Sequence, residues 1–204
     1  MIWRERVRRA PEPPPTEPAV PATTERASPG LAALFDSLGK GGDHSVLDLG
    51  PARGRHLQVL GRVAHQVRFA GLVPRSCVGE AWAAALRALP PNASFPYDVV
   101  LAWDLLNPLG PQERATAVAH LAQITGPRAR LHVLVDGTGA PHTQPLAFTL
   151  LEPGRIAEQV TGPLETVSHP LLPAKVERAL EPFEVVRASV LRTGVREYVA
   201  MKRV

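Results

Sequence analysis

The sequence has a single cysteine, Cys77, which allows no internal disulfide and no cysteine-rich metal site. Cys77 reads as a small, partly buried side chain rather than a nucleophile. The seven histidines run from His44 to His169 without a His-x-x-x-His pair or a carboxylate at ligand spacing, so no metal is expected. No run of roughly 18 uninterrupted apolar residues occurs, which argues against a membrane-spanning helix. The start, Met1-Ile-Trp-Arg-Glu-Arg-Val-Arg-Arg9, has no apolar stretch behind it of the kind a secretory signal carries. The expectation is a soluble, cytoplasmic protein. Neither a Gly-x-Ser-x-Gly elbow nor a Gly-Lys-Ser/Thr phosphate loop is present, which removes the serine-hydrolase and nucleoside-triphosphatase readings. Gly39-Lys-Gly-Gly42 is only a glycine-rich helix exit.

A large excess of one charge is also lacking. Lys and Arg number 23 against 19 Asp and Glu, a formal net charge of +4, and the arginines are scattered among carboxylates. A phosphate-binding stripe needs clustering, so nucleic acid is not the expected partner.

What is abundant is proline, 22 in 204 residues, together with enough hydrophobic side chains, 45%, to fill the core of one domain. Residues 1–28 divide into a basic start, with Arg4, Arg6, Arg8 and Arg9 against Glu5, and the run Pro-Glu-Pro-Pro-Pro-Thr-Glu-Pro-Ala-Val-Pro. Proline fixes φ and removes donors, so this segment reads as a disordered Pro-rich tail or tether ahead of a domain over 29–204. Arg8, Pro11 and Pro14 match the loose pattern of a polyproline ligand, and linker use is the simpler reading. Docking on a protein partner through Trp3 and the arginines is the alternative for the tail.

From Ser28 the pattern changes. Ser28 and Pro29 read as N-cap and N1 of a helix carrying Leu31, Leu34, Phe35 and Leu38 on one face. Residues 45–50 form a short apolar run that ends on glycine, a buried parallel strand. Then come a helix over 55–64, a strand over 67–73, a helix over 78–89, a strand over 97–103, a helix over 113–124 and a strand over 129–135. Alternation at this rhythm predicts an α/β, doubly wound, mostly parallel sheet. The last quarter reads as a short strand over 147–151, a short helix over 174–180, and two strands, 183–192 and 195–203, around Thr193-Gly194. So short a connection demands an antiparallel hairpin.

Two segments carry a family resemblance: Val46-Leu-Asp48-Leu-Gly50-Pro-Ala52-Arg-Gly54, and Tyr97-Asp98-Val-Val-Leu-Ala-Trp103-Asp104-Leu-Leu-Asn107. With the order of elements and the terminal hairpin, the chain over roughly 30–204 resembles the class I S-adenosylmethionine-dependent methyltransferases, whose Rossmann-like sheet places a glycine turn against the cofactor. The resemblance implies S-adenosylmethionine as cofactor. Gly50 and Gly54 would flank its amino-acid end, Ala52 would stand where the family has a middle glycine, and Asp48 would hold the turn or the ligand's ammonium. Trp103 would wall the sulfonium, or serve only as a core aromatic. Asp104 would orient or deprotonate an acceptor, or serve only as a loop cap, with Asn107 in the same loop. His132, on a strand, reads as an interior residue; His142 and His169 could line an acceptor site or face solvent.

Three departures stand against the family pattern. Ala52, preceded by Pro51, adds a Cβ where backbone meets ligand. The second strand ends Ala70-Gly-Leu-Val-Pro74, without the acid that accepts from both ribose hydroxyls, and Glu80 falls inside the next helix. Only residues 90–96 separate the second crossover helix from Tyr97, too few for the family's third strand, so the sheet should be short at one edge. Burying ribose hydroxyls without an acceptor forfeits roughly 1 to 3 kcal/mol, about tenfold to a hundredfold in affinity. Two functions follow. One is a methyltransferase with a weakened cofactor site acting on an unidentified acceptor. The other is a catalytically inactive binding or scaffold module in a protein complex. They differ in whether the space beside Gly50–Gly54 is open or filled by side chains such as Arg53, Arg55 or Leu72.

Overall fold

The computed structural model describes residues 23–39, 42–72, 80–89, 96–138, 142, 143, 145–163, 165, 166, 169–191 and 194–204. In chain order the elements are β1 (Thr23–Ala27), α1 (Pro29–Leu38), β2 (His44–Asp48), α2 (Gly54–Leu60), β3 (Ala64–Phe69), α3 (Glu80–Arg87), β4 (Tyr97–Trp103), α4 (Pro111–Ile124) and β5 (Thr125–Asp136). There follow β6 (His142–Thr143), β7 (Leu146–Glu152), β8 (Arg155–Val160), β9 (Glu165–Thr166), a 3₁₀ turn over Pro173–Lys175, α5 (Val176–Ala179), β10 (Phe183–Val190) and β11 (Val195–Lys202).

Six strands form the central sheet in the order β10-β11-β5-β4-β2-β3. β3, β2, β4 and β5 run parallel, and β11 and β10 close the sheet antiparallel, as the short connection around Gly194 requires. The centre of the sheet is apolar on both faces because helices and a second sheet cover it. Leu47, Val100, Leu131 and Val133 face α3, α4 and α5; Val46, Val99, Leu101 and Leu134 face α1, α2, β7 and β8. From β2 the chain crosses outward to β3 and then returns to β4 on the other side, so the carboxyl ends of β2 and β4 flank a topological switch point.

The expected doubly wound sheet and terminal hairpin are both present. Among the described residues no strand lies between α3 and β4, and β3 is the sheet edge; residues 90–95 fall outside them, as do Cys77 and residues 1–22. Also among the described residues, no helix is long and apolar enough to cross a membrane.

Three boundaries differ from the reading of the sequence. The segment assigned to a tail ends in a strand: β1 pairs antiparallel with β8 from Thr23 opposite Gln159 to Ala27 opposite Arg155. Its residues are polar and mostly exposed, so no hydrophobic period marks it; backbone pairing and the ion pairs Arg26–Glu158 and Arg155–Glu25 attach it. The single strand expected over 147–151 is one arm of the hairpin β7–β8, turned at Pro153-Gly154, a dipeptide that signals such a turn. The helix expected over 55–64 stops at Leu60, and β3 begins three residues ahead of the expected Val67.

β1, β8 and β7 make a small antiparallel sheet beside α1. Its turn fits there because Gly154 has φ +85° and lies so close that an added Cβ would meet the Ala32 Cβ at 2.7 Å. Its carbonyl accepts from the Ser28 N–H at 2.7 Å. Gly154→Ala is therefore expected to cost about 1–3 kcal/mol, from strain and overpacking together, as read by urea unfolding. A loss below about 0.5 kcal/mol, the range of neutral surface changes, would show the contact to be dispensable.

Candidate active site

Asp48 ends β2 with its side chain fully buried. Such a carboxylate needs donors, and the fold brings three. Oδ1 accepts from the Gly50 N–H at 2.8 Å and from the Trp103 indole N–H at 2.7 Å, while Oδ2 lies 3.1 Å from His56 Nδ1. The carboxylate thus ties the glycine turn to the end of β4 and to the first turn of α2. The sequence reading missed His56; the available signal was a histidine in the first turn of the helix that follows the acid. Its Nε2 is buried without a hydrogen-bond partner.

Trp103 is the last residue of β4, only 3% exposed, and has φ +51°. A left-handed backbone at a bulky residue is a genuine outlier, costing roughly 1–3 kcal/mol, and persists only where its surroundings hold it. Here the indole is stacked on Phe148 of β7 (centroids 5.5 Å apart, 4° between planes) and lies edge-on to His132 at 5.8 Å. It also covers Gly50: a methyl group placed there would lie 3.1 Å from Asp48 Oδ1 and 3.4 Å from the indole. Gly54 is the opposite case, exposed and with nothing within 4 Å of an added Cβ. Ala52 is exposed as well. The inner half of the turn is closed and its outer half open. The closing side chains are Trp103 and His56; Arg55 is exposed and Leu72 belongs to the core on the other face.

The backbone past β3 locks onto this turn, with the Ala70, Gly71 and Leu72 N–H groups donating to Asp48, Gly50 and Leu49 carbonyls. None of Ala70, Gly71 and Leu72 is acidic.

Asp104 follows Trp103 in a tight turn and keeps some exposed surface. Burial around its carboxyl pushes it up to about 7; its own backbone N–H opposes the shift, the charge of Glu158 adds to it and Arg26 counters it. Glu158 of β8 and Arg26 of β1 pair with one another, so the small antiparallel sheet delivers both charges to the end of β4. In the same loop Asn107 has a buried Oδ1 without a hydrogen-bond partner.

Behind the site lies a second polar centre. His132 Nε2 is 2.8 Å from Glu197 Oε1, which also accepts from Ser28 Oγ and from the Leu31 N–H at 3.3 Å; Oε2 accepts from the Gly30 N–H at 2.7 Å. Glu197 of β11 thereby caps α1. Burial alone would raise its carboxyl, but the hydrogen bonds from His132, Ser28 and Gly30, with the charge of His132, outweigh that and hold it at about 2. His169 is exposed beside α4, and nothing is described of the His142 side chain. Among the described residues no group of three or more His, Cys, Asp or Glu could hold a metal ion.

The structure therefore brings Asp48, Gly50 and Trp103 into direct contact, sets Ala52 and Gly54 on the exposed outer turn, and places Asp104 one residue beyond the indole.

No protein-family model matches the chain, and no curated protein matches it in sequence. Its fold is similar to that of 1,6-didemethyltoxoflavin-N1-methyltransferase from Burkholderia thailandensis, solved with 1,6-didemethyltoxoflavin and S-adenosylhomocysteine bound; identity is 19% over 86% of this chain and 77% of that one, TM-score 0.52. It is also similar to magnesium protoporphyrin IX methyltransferase from Synechocystis with bound S-adenosylhomocysteine, at 19% identity over 84% of this chain and 80% of that one, TM-score 0.50. The chain has the class I methyltransferase fold.

Proposed function

We propose that this class I fold works as an S-adenosylmethionine-dependent methyltransferase with a weakened cofactor site, acting on an unidentified acceptor. The observation that carries the reading is the juxtaposition, at the switch point of the sheet, of the glycine turn 50–54 with the Asp104 carboxyl held at about 7. The cofactor fits the open outer half of the turn, where Ala52 and Gly54 would hold its amino-acid end, since Gly54 has free space around it. The fit is poorer inward, where the indole covers Gly50, and at Ala70–Leu72, which offer no carboxylate to ribose. When bound, the cofactor supplies a methyl group already activated on a sulfonium, so the protein's contribution is mainly positioning.

The chain's own groups supply the rest. Asp104 accepts the proton of the acceptor's hydroxyl or amine, a role suited to a carboxyl near neutrality. Asn107 Oδ1 is available to accept from a second donor on the acceptor. Trp103 and Phe148 form an apolar wall that excludes water.

Calorimetry with S-adenosylhomocysteine tests the cofactor; no binding at millimolar concentration removes this reading. Formation of S-adenosylhomocysteine against a panel of hydroxyl and amine acceptors tests the base. Turnover should rise as pH passes about 7, because Asp104 acts only when deprotonated. Asp104→Asn should lower kcat about 10²- to 10⁴-fold and abolish that rise. An unchanged pH profile in Asp104→Asn would take the base role from Asp104.

A second reading, a binding or scaffold module without cofactor, is favoured by one observation: Asp48 already has three protein partners and Gly50 is covered. Under it a protein partner co-purifies and removal of residues 1–22 weakens the complex. The cut falls at 22 because residues 23–27 are part of the fold.

A further inference from the structure

Apart from the turn at Gly50, the start of α4, the segment 169–172 and the region of α5 enclose a groove of about 720 Å³. That is within the roughly 300–1,000 Å³ of small-molecule sites. Its innermost charge is Arg114, 5% exposed. Arg114 Nε donates to the Leu106 carbonyl at 3.0 Å, and Nη2 donates to the carbonyls of Leu109 at 2.6 Å and His169 at 3.0 Å. These acceptors satisfy donors but cancel no net charge, and among the described residues no carboxylate pairs with Arg114. Burial accordingly pushes the guanidinium down from its ordinary value with nothing opposing it. A buried cation without a counter-charge is costly, and an anion brought beside it relieves that cost.

The rim continues the pattern. Lys175 and Arg178 are exposed along the groove, against one acid, Glu181, among the described lining residues. Between them the floor is apolar, with Leu171 buried and Leu172 39% exposed. Cations beside an open leucine surface complement a molecule with an anionic head and an apolar body.

We infer that this groove is a binding site for a small organic anion with an apolar body, its carboxylate among Arg114, Lys175 and Arg178 and its body on Leu171 and Leu172. None of its lining residues belongs to the turn 50–54 or to the Asp104 loop, although Arg114 holds that loop through the Leu106 and Leu109 carbonyls.

Dodecanoate below its micelle concentration is the probe, titrated into the full chain by calorimetry, with dodecyltrimethylammonium as the cation of equal apolar length. Saturable binding of dodecanoate, at least tenfold tighter than of the cation, is expected. Arg114 anchors the loop, so charge is reversed on the exposed rim instead: Lys175→Glu with Arg178→Glu should weaken dodecanoate at least tenfold. Arg187→Glu on exposed β10 should leave it unchanged. Absence of saturable binding overturns the inference, as does equal binding of the two amphiphiles or of the rim variant and the parent. Binding of S-adenosylhomocysteine, measured in parallel, reports separately on the proposed activity and is expected to be the same in parent and rim variant.

Discussion

Glu197→Ala should lower folding stability by about 3–5 kcal/mol, the range for removing one partner of a buried ionic network. The carboxylate is the shared acceptor for His132 Nε2, Ser28 Oγ and the backbone N–H groups of Gly30 and Leu31, and its residue is 1% exposed. Without it, four buried donors lose their acceptor at once. The effect should have a pH signature. A carboxyl held at about 2 when folded, against an ordinary 4.5, contributes stability fully present above about 4.5 and lost as pH falls toward 2. A shift of that size corresponds to about 3 kcal/mol. Urea unfolding from pH 7 to pH 2 should therefore show an acid limb in the parent that is greatly reduced in Glu197→Ala. Parallel acid limbs in the two proteins would show that the network contributes little to folding.

Trp103→Ala should cost a comparable 3–5 kcal/mol, because it empties a buried aromatic site and leaves Asp48 Oδ1 without its indole donor. The backbone adds a second expectation. At φ +51° glycine is at ease where alanine is not, so Trp103→Gly should be the less destabilised of the two, although it removes one carbon more. Urea unfolding of the pair measures both; alanine more stable than glycine would mean that φ relaxes once the indole is gone. The same variants should bind S-adenosylhomocysteine more tightly than the parent, since the indole stands 3.4 Å from the position of a Cβ on Gly50. A loss of affinity instead would show that the indole, as the site's apolar wall, supports the ligand more than it obstructs it.

Much of the scaffold was legible in the residues, and the reason is periodicity. The apolar runs at 45–50, 97–103 and 129–135 fill a sheet covered on both faces, and Leu31, Leu34, Phe35 and Leu38 repeat at the spacing of one buried helix face. Gly54 and Gly194 mark turns that the chain makes near them. β1 left no such trace: Thr23–Ala27 is polar, and its place depends on the edge that β8 offers. β8 itself was signalled only by Pro153-Gly154, because Arg155-Ile-Ala-Glu-Gln-Val160 alternates weakly.

The candidate site divides along the same line. The sequence by itself determined where a glycine turn follows a buried strand, that an acid ends that strand, and that Trp103 ends another with Asp104 directly after it. Only the tertiary structure decided what these groups touch. Asp48 meets an indole 55 residues away; Glu197 meets His132 across 65 residues and Ser28 across 169. Each partner stands alone in its own segment, and its need for a donor or acceptor arises only on burial, when packing of α1, the sheet and β7–β8 removes water. Hydrophobic order repeats along a chain and can be read there; polar pairing is set by which layers meet, and leaves no period to read.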